Sequence, residues 1–392
     1  MPTATDPKTT RRNGYRVWGD VALAHDDSEA LIKEARRRQR RRRLLIACLL
    51  LVGVVVGGAV YVVMRHTGTR LEPPARSSAP AAGAAGAISP KRPGALALAP
   101  RGGLYLADDA RNQILERLPN GRFRVVAGNG KRGFSGDGRR AVGAELNNPG
   151  AMAVAADGSL YFADTGNNRV RKVSPQGIIT TVAGNGGLGW TPNRGRALAV
   201  AVSSPTAVAF GPDGRLLIAT GDEVLRLEHD GSLTRVAGIR KYAGVYGIGG
   251  PATKASADGA NGLAFDAAGN LYLAGFNTKA LLMIDRRGTM RLPDGGFNFY
   301  PRGFGGLVRT PDGHVLAINS QELVEVTPHG SHAIFNFANR SIGGITGFLP
   351  AGIAVSRSGL IYTDTGYGNG WSSGSGIVVI TAARRIQVRW KK

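Results

Sequence analysis

The 392-residue chain carries 50 Lys and Arg against 27 Asp and Glu, a formal net charge of +23. Its single cysteine, Cys48, excludes a disulfide framework within the chain, so whatever folds here holds by packing alone. The positive surplus suits polyanionic partners (nucleic acid, anionic lipid or an acidic envelope polymer), or it serves solubility alone.

Residues 1–25 are polar and irregular, and disorder is expected there. Asp26-Asp27-Ser28-Glu29 reads as a helix start, with acids in the first turn. Seven arginines follow within residues 36–43. Residues 44–63 then run 20 positions without a charge, Leu-Leu-Ile-Ala-Cys at the front and Val-Tyr-Val-Val at the back. A helix of that length covers roughly 30 Å, the hydrocarbon thickness of a bilayer. A single transmembrane helix is expected. The arginine run before it places the N-terminus in the cytoplasm and everything after it outside, as a single-pass cell-membrane protein with an uncleaved signal-anchor. Cys48 is an acylation candidate or a lipid-facing packing residue, and Gly53 with Gly57 forms a small-xxx-small spacing that can pair helices or arise by chance in a Gly-rich span. Residues 64–91, rich in Ala, Pro, Ser and Gly, read as an unfolded stalk.

From residue 92 to the end a unit repeats. Its turn glycines are Gly103, Gly158, Gly214, Gly269, Gly313 and Gly359, each followed by an apolar strand (104–107, 160–163, 216–219, 271–274, 315–318, 360–363). Around the second copy four strands are expected, at 152–155, 160–163, 170–173 and 178–183, with Asp157-Gly158 as a hairpin turn. Four short strands per period, six times over, are the mark of an all-β, six-bladed β-propeller. Residues 385–390 complete the last blade, so the ring closes without a borrowed N-terminal strand.

The unit resembles the NHL repeat. The residues that carry the likeness are Leu160-Tyr161-Phe162-Ala163-Asp164, Asn168-Arg169-Val170-Arg171-Lys172 and Thr180-Thr181-Val182-Ala183-Gly184, echoed by Leu104-Tyr105-Leu106-Ala107-Asp108, Asn112 and Val125-Val126-Ala127-Gly128. Gly133-Phe134-Ser135-Gly136-Asp137-Gly138 is similar to the inter-blade loop of bacterial NHL proteins. In the fourth and fifth copies Gly275 and Asn319 stand where the family has Asp. The resemblance implies a binding, sensing or scaffold domain more readily than an enzyme, since such propellers serve many functions on one architecture.

Three inter-blade loops are long, at 129–148, 185–204 and 239–260, and are expected to crowd one rim of the ring as the ligand or partner face. The candidate residues there are Phe134, Arg139, Arg140, Trp190, Arg194, Arg196, Tyr242 and Tyr246, joined from the last blade by Tyr367 and Trp371. Aromatics supply apolar contact area and arginines bidentate anion contacts. The alternative is that the aromatics merely plug the loops onto the blades. Either a protein or an anionic cell-envelope polymer suits such a face. Nucleic acid fits the charge but not the extracytoplasmic topology.

The alternative is a hydrolase or lyase similar to gluconolactonase or amidating-lyase propellers. Those need carboxylates, Asn or His converging at the channel mouth to hold calcium or zinc. The strand starts that reach it here are Pro93-Gly94, Pro149-Gly150, Pro205-Thr206, Asn261-Gly262, Gly303-Phe304 and Pro350-Ala351, none acidic or His. No cofactor, metal or catalytic residue is therefore expected. His229, His314, His329 and His332 are assigned to exposed turns of the opposite rim. Asp108, Asp164 and Asp364, with Asn112 and Asn168, are read as turn caps rather than a catalytic ring.

Overall fold

The computed structural model describes residues 90, 93–98, 102–239, 245–257, 259–275, 280–293, 304–319, 322–337, 352–364, 377–380 and 386–388. The span 44–63, the tail before it and the stalk lie outside them. Among the described residues no helix is long and apolar enough to cross a membrane.

Six antiparallel sheets follow one another along the chain. The first is β1 (Pro93–Leu98), β2 (Leu104–Asp108), β3 (Gln113–Arg117) and β4 (Phe123–Ala127). The second is β5 (Pro149–Val154), β6 (Leu160–Asp164), β7 (Arg169–Val173) and β8 (Ile179–Ala183). Next comes a short extra strand, β9 (Arg194–Arg196), ahead of β10 (Ala207–Phe210), β11 (Leu216–Ala219), β12 (Val224–Leu227) and β13 (Ser232–Ala237). The fourth sheet is β14 (Ala260–Phe265), β15 (Leu271–Gly275), β16 (Leu281–Ile284) and β17 (Met290–Arg291). The fifth is β18 (Phe304–Arg309), β19 (Val315–Asn319), β20 (Glu322–Thr327) and β21 (Gly330–Asn336). The last is β22 (Ile353–Val355), β23 (Ile361–Asp364), β24 (Ile377–Ile380) and β25 (Ile386–Val388).

The first strands touch in order, β1 to β5, β10, β14, β18, β22 and back to β1. That is a closed six-bladed propeller. All four strands of the last blade come from the C-terminal end of the chain, as expected. Of the six expected turn glycines, five have positive φ; in the first blade Gly102 (φ 86°) takes the place expected of Gly103.

Strands such as Leu160–Asp164 are buried almost throughout rather than alternately. The reason is that each blade is covered on both faces by its neighbours. Ile114 and Ala127 pack with Phe162, Leu160 and Ile179 across the first junction. Leu217 and Leu273 meet across the third, and Leu96, Leu106 and Leu115 meet Ala354 across the closing one. Each buried Phe, Leu or Ile is worth about 1.5–3 kcal/mol, and all of it depends on a neighbouring blade being present. Ladder irregularities recur at matching places, Pro93/Leu96, Pro149/Met152, Ala260/Gly262 and Phe304/Gly306. Such bulges raise local twist, which a blade needs to fan out from the axis.

Polar clasps complete the junctions. Asn112 Oδ1 accepts the Asn148 N–H at 3.0 Å, and Asn168 Oδ1 accepts the Ser204 N–H at 2.9 Å. Both asparagines sit in the left-handed region, φ 51° and 53°, which Asn tolerates better than most residues. A Cβ on Gly184 (φ +91°) would lie 2.3 Å from the Asn168 carbonyl oxygen, and one on Gly128 equally close to that of Asn112. This explains why the repeat ends in Ala-Gly.

The repeated aspartates act differently from the expectation. The 3₁₀ turn after Asp164 has no side-chain cap. Instead Asp164 Oδ1 accepts the Asn147 N–H at 2.8 Å, and Asp364 Oδ1 accepts the Gly352 N–H at 2.9 Å. Each carboxylate ties the end of its blade's second strand to the chain approaching the first. A local turn cap was expected because sequence shows only neighbours; the ring brings a more distant N–H closer.

Asn168→Ala should lower unfolding stability by about 1–3 kcal/mol, losing both a hydrogen bond and left-handed tolerance. Asn168→Gly should lose less, and Gly184→Ala should be the worst of the three. Urea unfolding followed by far-UV circular dichroism reads the order; an unaltered Asn168→Ala midpoint contradicts the clasp.

Candidate functional site

The three long loops pass by the turns between second and third strands, where Asn167 donates to the Gly133 carbonyl at 2.7 Å, and part of each is fastened farther out. Each runs along the outer strand of the blade it leads into. In the first, Gly138 N–H donates to Ile179 O at 2.8 Å and Ile179 N–H to Arg139 O at 2.9 Å. In the second, β9 pairs with β13, Arg194 opposite Thr234 and Arg196 opposite Ser232. In the third, Gly249 N–H donates to Met290 O and Met290 N–H to Gly250 O. Arg139, Arg140, Arg194 and Arg196 therefore lie at the outer edges of the second and third blades. A three-residue Arg-Gly-Arg strand has too little alternation to be read from sequence. It forms because an exposed edge offers unpaired N–H and C=O groups.

The aromatics hold cations. The Arg169 guanidinium lies 3.8 Å from the Phe134 ring centroid, and Arg171 4.8 Å from it. Arg235 lies 4.9 Å from the half-buried Trp190 ring. Phe134 and Tyr246 nonetheless stay 41% and 53% exposed. Tyr242, Tyr367 and Trp371 lie outside the described residues.

Beneath Phe134, Arg171 is fully buried. It donates to Asp164 at 3.2 Å, to Asp137 at 2.9 Å and to the Ser135 carbonyl at 3.0 Å. Asp137 also accepts from Thr181 at 2.7 Å, so the carboxylate in the Gly-Phe-Ser-Gly-Asp-Gly loop is a structural ligand of arginine. The Ser135 hydroxyl accepts the Glu145 N–H. Burial pushes the Asp164 carboxyl up, against hydrogen bonds from Asn167, Asn147 and Arg171. In the third blade Glu223 serves instead, accepting the Thr191 N–H at 3.2 Å with Arg235 3.8 Å away. Its burial likewise raises its pKa above the ordinary 4.5.

The histidines are not all in turns. His332 lies in β21, 3.2 Å from Glu325, which also holds His314. Tertiary pairing across β19, β20 and β21 makes this row; sequence separation hid it. Among the described residues no group of three or more His, Cys, Asp or Glu is placed to hold a metal ion.

The axis carries a cavity of about 700 Å³ whose walls include Leu96, Met152, Val208, Leu263, Leu307 and Ile353, one from each blade. Thr165, Thr206 and Asn261 add polar groups, and Asp222 a carboxylate. Asp222 escaped the list of strand starts because it arrives from the turn between β11 and β12. The two threonines are spent on blade junctions, Thr165 donating to Pro205 O and Thr206 to Ala260 O.

The exposed large apolar residues among those described are Phe134, Val142, Leu188, Leu198, Tyr246 and Ile248, two from each long loop.

Residues 110–290 match the family described as the teneurin NHL domain. This bears out the NHL-repeat character of the propeller. Teneurin-1 of Homo sapiens is 31% identical over 164 residues, 37% of this chain and 6% of that protein. Teneurin-4 of Homo sapiens is 40% identical over 91 residues, 20% of this chain and 3% of that protein. The chain thus spans only a small part of the curated relatives it matches. Among solved structures, virginiamycin B lyase from Staphylococcus aureus superposes with a TM-score of 0.48 at 13% identity, covering 77% of this chain and 86% of that one.

Because burial raises the folded-state pKa of Glu223, the folded state binds the extra proton, and stability should fall as pH rises from 4.5 through the raised value. Glu223→Gln should remove that part of the pH dependence while keeping an acceptor for Thr191. Urea midpoints across acid to neutral pH check it; identical pH profiles for both proteins contradict it.

Proposed function

We propose that this chain is a membrane-tethered binding or scaffold module. Its propeller is held outside the cytoplasmic membrane by residues 44–63, and it contacts a protein or an anionic cell-envelope ligand through the long loops of the second, third and fourth blades. The observation that supports this most is the distribution of exposed large apolar side chains, which among the described residues all fall on those loops. Apolar groups left in water by a well-packed fold mark contact surfaces. The charge surplus points the same way: residues 92–392 hold 34 Lys and Arg against 20 Asp and Glu. The NHL-domain similarity over residues 110–290 covers the same three loops, and it supports a binding role over chemistry. In this reading Phe134 and Trp190 serve twice, clamping arginines from above and giving the loops a firm base.

A photo-crosslinking residue placed at Leu188 in the full-length chain, in intact cells, should give specific adducts. The same group at Asp312, in the turn before β19, should give few or none. Leu188→Asp and Leu198→Asp should weaken the capture with the urea midpoint unchanged. Equal labelling at both positions would remove the loops as the contact face, and a propeller resistant to protease added outside the cells would remove the topology.

A further inference from the structure

Two of the loops carry the same step in the same geometry. Arg140-Ala141-Val142 and Arg196-Ala197-Leu198 stand 56 residues apart. In both, the alanine is buried at 1–2% exposure and bonded at each end. Ala141 N–H donates to Gly177 O at 2.8 Å and its carbonyl accepts from Gly128 at 3.0 Å. Ala197 N–H donates to Gly231 O at 2.9 Å and its carbonyl accepts from Gly184 at 2.8 Å. With the backbone pinned identically, the flanking residues project equivalently from adjacent blades. Those flanks are an exposed arginine and an exposed Val142 (47%) or Leu198 (60%). Neither Arg140 nor Arg196 has an ion-pair partner among the described residues, whereas neighbouring Arg194 is held by Asp230. Leu188, at 78% exposure between two glycines, projects from the second of these loops.

We propose that this repeated arginine–apolar step, Arg140 with Val142 and Arg196 with Leu198, assisted by Leu188, seats the outer edge of the second and third blades on an anionic lipid surface. An arginine beside an exposed aliphatic side chain suits the boundary of a bilayer, where phosphate lies next to acyl chain. A soluble polyanion would use the arginines but give no reason to leave Leu188 and Leu198 in water. The inference rests on the tethered reading above. Given that tether, the 29 residues from 64 to 92 span at most about 100 Å when fully extended, so the propeller never leaves the neighbourhood of the membrane. A contact too weak to recruit a free protein is then made effectively intramolecular.

The full-length chain is placed in nanodiscs of phosphatidylcholine alone and of phosphatidylcholine mixed with phosphatidylglycerol, with a photo-crosslinking residue at Leu198. Adducts are identified by mass. Phospholipid adducts are expected in the anionic discs, with about a thirtyfold loss when Arg140→Gln and Arg196→Gln are combined, from the membrane attraction of two charges. Retention of the chain by both kinds of disc reports the tether separately, so failure of the tether and failure of the lipid contact are distinguishable. A chain retained only by anionic discs, with adducts at Leu198, would overturn the tether and keep the lipid face. Equal adducts in both discs, no lipid adducts, or adducts to a protein alone when the same variant is irradiated in cells would overturn the proposal. The last of these would leave the loops as a protein-binding face.

Discussion

The apolar core of this propeller lies between its blades. Each of its clusters draws on two neighbouring sheets, as when Val170 and Ala183 of one pack with Ile218, Leu225 and Leu233 of the next. A single four-stranded blade would leave both faces in water and could not offset the entropy of ordering itself. Closure is therefore a requirement of stability. The last junction is made by Ala354 against Leu96, Leu104 and Leu106, through side-chain packing and with no strand exchanged between ends of the chain.

Constraints at the junctions account for most residues that look chemical in the sequence. The ring needs N–H groups satisfied where one blade hands the chain to the next, and Asn112, Asn168, Asp164 and Asp364 satisfy them. It needs the long loops fastened, and a buried guanidinium does this in the second blade through Asp137, Ser135 and Asp164. The third blade reaches the same end with other residues. Thr220 stands where the aspartate would be, and Glu223 provides the carboxylate, accepting the Thr191 N–H beside the Arg235 that Trp190 covers. Buried ion pairs contribute little net stability once desolvation is counted, but losing one partner strands the other. Their value here lies in fixing where a long loop runs.

With those duties assigned, the described residues still show outward-pointing side chains on the loops and a cavity on the axis that Asp222 helps to line. The loop segments that pair with the outer strands of the second to fourth blades cover those sheet edges and display exposed side chains. Ala141 and Ala197 anchor, while Arg140, Val142, Arg196 and Leu198 are left to solvent. A ring with fastened loops would present such a surface without first ordering it, which would lower the cost of any binding there.

The six-fold repeat, the strand positions and the closing of the ring were legible in the sequence, because spacing of turn glycines and apolar strands is a local property copied in each unit. The charge surplus and the apolar run at 44–63 were legible for the same reason. What the tertiary structure decided was where distant segments meet: that loop arginines lie along outer edges, that Asp164 answers the Asn147 N–H as well as Asn167 of its own turn, that Asp222 faces the axis, and that His332 shares Glu325 with His314. A linear pattern records which side of a strand a residue occupies. Which neighbour covers that side depends on the twist and the closed ring, and these exist only after folding.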